Sequence, residues 1–316
     1  MANLTYSADI IEYALFRAGE PIDGTSDFDD HALVALNRAY RAMWEGGGEF
    51  DPQINVDWWW LLAEGSLILQ APIETGTVQV TNNSDSIAFS VAPSSSSVDG
   101  WFFKVESSSD VFVISAHTGG ATAATLDTVY TGDDASAASF RLMKLEYSLA
   151  SDHWKTISPM RAYKDARHRV IGTSMRQMED DYPLGRILAG VPERFAPISD
   201  HSVRFNRYGK DELVRLDYDY LKIPDDLTDS DSEEPLVPKM YRHILADATE
   251  YYLLKVKDDD RADAMVNQVR AGIKSMSREN RNRWSQFGEP GKIIPRPSDL
   301  DFIRRFPRTE SGLYMA

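Results

Sequence analysis

Six histidines, at positions 31, 117, 153, 168, 201 and 243, are the first residues to ask for chemistry. No two stand four apart, the spacing that sets two imidazoles on one helix face for a metal, and none lies in a His-Glu-x-x-His run. Each therefore reads as a structural or surface histidine. There is no cysteine, which removes disulfides, thiol nucleophiles and cysteine-based zinc sites together. A Gly-x-x-x-x-Gly-Lys-Ser/Thr phosphate loop and a Gly-x-Ser-x-Gly nucleophile elbow are both missing. Carboxylates number 49, yet nothing marks two of them as a general acid and its partner. The runs Asp225 to Glu234 and Asp258 to Asp260 lack the glycine and closing glutamate of an EF-hand loop and read as solvated turns. Counting carboxylates leaves a glycosidase pair open, and weak cation binding is the second reading of the acidic runs.

What stands out instead is charge. The net charge is −15, unevenly spread: from Arg278 onward 8 basic residues face 5 acidic ones, against 26 and 44 before it. An acidic body repels nucleic acid, so a sequence-reading DNA binder is not expected. Asp225, Asp226, Asp229, Asp231, Glu233 and Glu234 make an acidic loop with no base. Arg161, Lys164, Arg167 and Arg169, with Tyr163 among them, make a basic patch suited to an acidic protein neighbour. The last segment carries prolines at 290, 295, 297 and 307, which forbid a continuous helix. It also carries Leu300, Phe302, Ile303, Phe306 and Tyr314, costly to leave in water, beside Arg304, Arg305 and Arg308. That composition suits an extended arm that orders on a partner surface.

The elements around these groups change character along the chain. Its 316 residues, 42% hydrophobic and 26% charged, allow one large or two moderate globular domains. No apolar run reaches the roughly 20 residues of a membrane span. The first residues lack the basic start and apolar core of a signal peptide, so folding in the cytosol is expected. Ser7 is placed to cap a first helix with Ile11, Leu15 and Ala18 on one face, stopped by Gly19 and Pro21. Ser26 to Asp29 form a capping-box variant before a second helix striped by Leu33, Leu36, Tyr40 and Met43. Trp58-Trp59-Trp60 reads as a packed junction in preference to a sugar platform. From Pro72 to Tyr147 lysine and arginine thin out and apolar residues alternate, as in Val78 and Val80, or Ile87, Phe89 and Val91. Later, Ser174 caps a short helix, and His201 to Phe205 with Leu213 to Tyr220 suggest a hairpin. Two final helices carry Tyr241, Leu245, Ala248 and Tyr252, then Ala262, Val266, Val269, Ile273 and Met276.

The ordered set resembles the head-to-tail adaptor (connector, head-completion, tail tubular gatekeeper-like) proteins of tailed bacteriophages. The carrying stretches are Gly76-Thr77-Val78-Gln79-Val80-Thr81-Asn82-Asn83-Ser84, Gly190-Val191-Pro192-Glu193-Arg194-Phe195-Ala196, and Leu216-Asp217-Tyr218-Asp219-Tyr220 leading to Asp226-Leu227-Thr228-Asp229-Ser230-Asp231. Pro235-Leu236-Val237-Pro238-Lys239-Met240-Tyr241-Arg242-His243-Ile244-Leu245 follows. The insert departs from the family in having Ser94 to Ser97 after its second strand, and the proline-rich arm does not align.

The residue patterns and the resemblance together suggest an α+β protein: a helical bundle domain (1–70 and 148–287), an inserted small antiparallel β-barrel or sandwich (71–147) and a β-hairpin, with an extended arm (288–316) read from its own composition. The resemblance implies no catalysis and no cofactor. It implies a virion subunit, assembled in the host cytoplasm, that forms a homo-oligomeric ring, typically a dodecamer, on the portal protein. A tail tube or nozzle protein, and a tail fibre in some cases, would lie below. Genomic DNA would cross the lumen without sequence-specific binding or membrane contact. Phe302, Ile303, Arg304, Arg305, Phe306, Arg308 and Tyr314 are the expected portal or neighbour contacts, Arg161, Lys164, Arg167 and Arg169 a second interface. The six carboxylates of the acidic loop are candidates for the lumen. Competing expectations are another tail component, such as a fibre or baseplate anchor, or a carbohydrate-binding or hydrolytic protein using Trp101 and Trp58 to Trp60.

Overall fold

The computed structural model describes residues 4–21, 27–51, 56–163, 165–182, 188–210 and 214–287. The chain divides into two compact units: one joins the chain up to Leu61 with the chain from Pro224 onward, the other is Leu62–Ile223. Five α-helices lie among the described residues: α1 (Ser7–Ala18), α2 (Asp27–Trp44), α3 (Met175–Asp181), α4 (Arg242–Val256) and α5 (Arg261–Phe287). No described helix is long and apolar enough to cross a membrane.

In the first unit, α4 is the central element. It is buried continuously from Ile244 to Leu254, and α1, α2 and α5 pack against it. A helix covered on several sides needs no single apolar stripe, and α4 accordingly buries Thr249 and Glu250 as well as leucines. α1 buries Ile11, Leu15 and Ala18, as its periodicity requires, and ends where Gly19 adopts φ 78°. Its expected cap is corrected: Ser7 is the first helical residue, and Asp9 instead accepts the backbone N–H groups of Thr5 at 3.0 Å and Tyr6 at 2.9 Å. The capping sequence before α2 includes Ser26, outside the described residues. α5 buries Met265, Val269, Ile273 and Met276. Its Gly272 lets Ile244 approach so closely that an added Cβ would lie 2.9 Å from it.

The tryptophan run belongs to this unit's core. Trp58 and Trp60 are buried and stacked 6.2 Å apart, and Trp58 Nε1 donates to Met43 O at 2.7 Å. The Asn280 carboxamide holds the neighbouring backbone, accepting from Trp59 N and donating to Asp57 O, both at 2.9 Å.

The second unit corrects the expected architecture. The expected helical domain takes in residues 148–223, with a single hairpin as their β-structure; they are in fact β-rich, with the short α3, capped by Ser174, as the helix among their described residues. Two sheets that curl toward barrels fill this unit. The seven-stranded one follows the order β7-β2-β3-β6-β5-β4-β8. It comprises β2 (Val78–Val80), β3 (Ser86–Phe89), β4 (Phe102–Val105), β5 (Phe112–His117), β6 (Ala123–Leu126), β7 (Ala135–Ala138) and β8 (Phe140–Met143). Its end strands β7 and β8 are consecutive in the chain, separated only by Ser139, so the sheet nearly closes on itself. Phe89, Phe103, Phe112, Tyr130 and Phe140 fill its interior.

The other sheet has eight strands: β1 (Leu62–Leu69), β9 (Glu146–Ser148), β10 (His153–Thr156), β11 (Met160–Ala162), β12 (Asp165–Gly172), β13 (Arg194–Ser199), β14 (Ser202–Phe205) and β15 (Val214–Lys222). The unit's entry and exit strands lie side by side, in register from Leu62↔Leu221 to Leu69↔Val214. The proposed hairpin is corrected too, because β14 pairs with β13 and β9 while β15 pairs with β1, β10 and β11. Short strands interrupted by bulges at His153/Lys155, Arg161/Ala162 and Pro197/Ser199 break the alternation that would have revealed them. The two sheets meet through Phe102, Met143, Leu145 and Tyr208.

Candidate functional site

The acidic loop is built into the helical unit. Asn37 of α2 donates from Nδ2 to Leu227 O at 2.9 Å and accepts from Leu227 N at 2.7 Å. The Ser7 hydroxyl donates to the carbonyls of Thr228 and Ser230, and the Ser7 and Ala8 N–H groups, at the start of α1, donate to Glu233 O and Ser230 O. Glu233 accepts from both the N–H and the hydroxyl of Thr228. Asp226 stands 3.6 Å from Arg41. Asp225, Asp229 and Asp231 are exposed, and among the described residues they have no ion pair.

Arg242 closes the far end of the loop and was not singled out from sequence. Its guanidinium is buried and donates to the carbonyls of Val237 (3.1 Å), Pro235 (3.0 Å) and Thr5, and to the Glu234 carboxylate (3.0 Å). The Arg242 hydrogen bond, helped by nearby Lys239, holds the Glu234 carboxyl below its usual range. Five donors in a fixed fork suit such a junction, where a lysine would not. The available signal was an arginine just after two prolines and six carboxylates. Position alone does not distinguish it from Lys239.

The basic patch is only partly assembled. Arg161 on β11 pairs with Asp219 at 2.7 Å and lies opposite Arg169 of β12 in register. Lys164 and the Arg167 side chain are outside the described residues. Around Arg161 the sheet forms a hollow of about 460 Å³ that also holds Glu64, Tyr163, Arg215, Asp217 and Asp219. Arg215 pairs with Asp217 at 2.7 Å. The surface is therefore of mixed sign. The arm residues from Phe302 to Tyr314 also lie outside the described residues.

Three histidines hold backbone carbonyls. His117 Nε2 lies 3.1 Å from Ala121 O, His153 Nδ1 3.1 Å from Asp200 O, and His168 Nε2 2.7 Å from Pro192 O. No group of three or more His, Asp or Glu among the described residues is placed to hold a metal. Trp101 is buried with the seven-stranded core, so neither it nor Trp58 and Trp60 offers an exposed sugar platform.

A second surface feature was missed in the sequence: a groove of about 270 Å³ between α2 and α4, lined by His31, Val34, Ala35, Arg38, Tyr252, Lys255 and Val256. Arg38 lies over the Tyr252 ring at 4.6 Å, and Arg38 and Lys255 share Glu49 at 3.3 and 3.9 Å. Val34 and Val256 stand largely exposed on helices that otherwise pack well. Its residues come from helices far apart in sequence, which is why no local pattern announced it. Searches with this chain match no protein-family model and no curated protein.

Proposed function

We propose that this chain is a structural subunit of a tailed bacteriophage, a head-to-tail adaptor that forms a ring between portal and tail through which DNA passes. The observation that carries the reading is the acidic loop. One of the stretches that carry the resemblance is pinned at Ser7, Asn37 and Arg242 to the first two helices and the start of α4, so its carboxylates are held at a defined surface. The unit inserted between them enters and leaves through neighbouring strands β1 and β15, the topology of a module carried on a separate scaffold. A net charge of −15 per copy suits a passage that must not retain phosphate. Partners in this reading are the portal protein, a tail tube or nozzle protein and further copies of the chain, in the virion. Negative-stain imaging of the purified chain mixed with its portal tests it. A ring of extra density on the portal is expected; a chain that stays monomeric and never binds a portal overturns the proposal.

A further inference from the structure

The helical unit carries two surfaces that complement each other but lie on different flanks of the same element. Along α2, His31, Val34 and Arg38 face the groove shared with α4, whereas Asn37, Tyr40 and Arg41 hold the acidic loop. The groove has an apolar lining with Val34 68% and Val256 61% exposed. At its rim, Arg38 and Lys255 answer a single carboxylate, Glu49. The loop presents the opposite character. Asp229 and Asp231 are exposed and unpaired among the described residues, and just beyond them Leu236 (38%) and Met240 (52%) are apolar side chains left in water. Each surface supplies what the other lacks: cations for carboxylates, and an apolar lining for apolar anchors.

We propose that the groove between α2 and α4 receives the acidic loop of a second copy of this chain. The two patches are different surfaces, so the contact is head-to-tail, and repeated contacts of that kind generate a ring when the rotation closes. This deepens the subunit reading above and rests on it. It also assigns the loop to the boundary between copies and leaves the channel wall to other carboxylates of the body.

The absence of native cysteine makes a direct test clean. Val34→Cys in the groove and Leu236→Cys in the loop (Met240→Cys as a second loop position) are placed in separate chains, mixed in low salt, and treated with a short bis-maleimide. The expected product is a covalent heterodimer from the mixture, far above homodimers of either variant, and a ladder from the doubly substituted chain. Arg38→Glu with Lys255→Glu in the groove chain should cut the yield several-fold, and Asp229→Lys with Asp231→Lys in the loop chain should restore it. No heterodimer at either loop position, or yields unaffected by charge reversal, overturns the assignment. Rings that still form on a portal with the reversed groove also overturn it while leaving the adaptor reading intact. Specific cross-linking by a chain that never binds a portal does the opposite.

Discussion

Asn37 and Leu227, 190 residues apart, exchange two hydrogen bonds as paired strands do, the carboxamide of Asn37 standing in for a peptide group. Leu227 is buried, so both its backbone groups depend on that one side chain. Asn37→Ala leaves a donor and an acceptor dry at about 1–3 kcal/mol each. Amide hydrogen exchange should show protection lost first in residues 225–236, with α4 still protected. Asn37→Asp should be no milder, since it removes the donor and adds a charge among carboxylates.

Arg242 makes a sharper prediction. Its replacement by Lys keeps the charge but cannot reach the carbonyls of Pro235, Val237 and Thr5 at once. Each buried carbonyl left without a donor costs about 1–3 kcal/mol. Urea unfolding of Arg242→Lys should therefore fall well below wild type, whereas Lys239→Ala, at an exposed position three residues earlier, should not differ measurably.

His153 gives the second unit a pH dependence. Burial lowers its pKa below the ordinary 6.5, and nearby His201 adds to the effect. Its contribution is complete above that value, where folded and unfolded forms are both neutral. It is lost progressively as pH falls from about 6.5 toward the depressed folded value, because the unfolded chain takes up the proton first. Thermal melts should lose stability over that interval, and His153→Gln should flatten the slope.

Glu250 acts in the opposite sense within the helical unit. Burial raises its pKa, outweighing Arg17 Nε at 3.0 Å, and Asp247 adds repulsion. A carboxyl whose folded pKa is raised gains stability as pH falls through that value toward the unfolded one. Glu250→Gln should accordingly match or exceed wild type in melting temperature at neutral pH and lose the gain on acidification. A large loss at neutral pH would contradict this.

The seven-stranded barrel should be removable. Its two ends meet at the Tyr147 hydroxyl, which accepts from Gln70 N at 2.9 Å and donates to Lys144 O at 3.2 Å; burial pushes that hydroxyl up to about 12. Replacing residues 72–143 by a short Gly-Ser linker should keep β9 and Tyr147 in the eight-stranded sheet and leave the helical circular dichroism signal unchanged. Extending the cut through 147 removes most of β9 and should destabilise that sheet. Equal melting behaviour of the two deletions would refute the boundary.

Local signals were legible wherever a residue's neighbours in sequence are also its neighbours in space. The stripe Ile11, Leu15 and Ala18, the cap at Ser174, the stop at Gly19, and the alternation of Val78 with Val80 and Ile87 with Phe89 all follow from helical or strand periodicity. The chain's acidic excess and its lack of cysteine needed no structure either. Tertiary structure decided what depends on distant partners. Strands β1 and β15 pair Leu62 with Leu221 across most of the second unit, and bulges hide the short strands between them, so residues 148–223 suggest a helical domain with one hairpin in place of an eight-stranded sheet. Ser7 looks like a helix cap in sequence and is a loop anchor in the fold, because the carbonyls of Thr228 and Ser230 arrive from 221 and 223 residues further along the chain. The groove at Val34 and Val256, and Arg242's ring of carbonyls, exist only once α2 and α4 have packed and the loop has been drawn across them. Periodicity along a chain specifies which face is apolar, but not which distant surface will cover it.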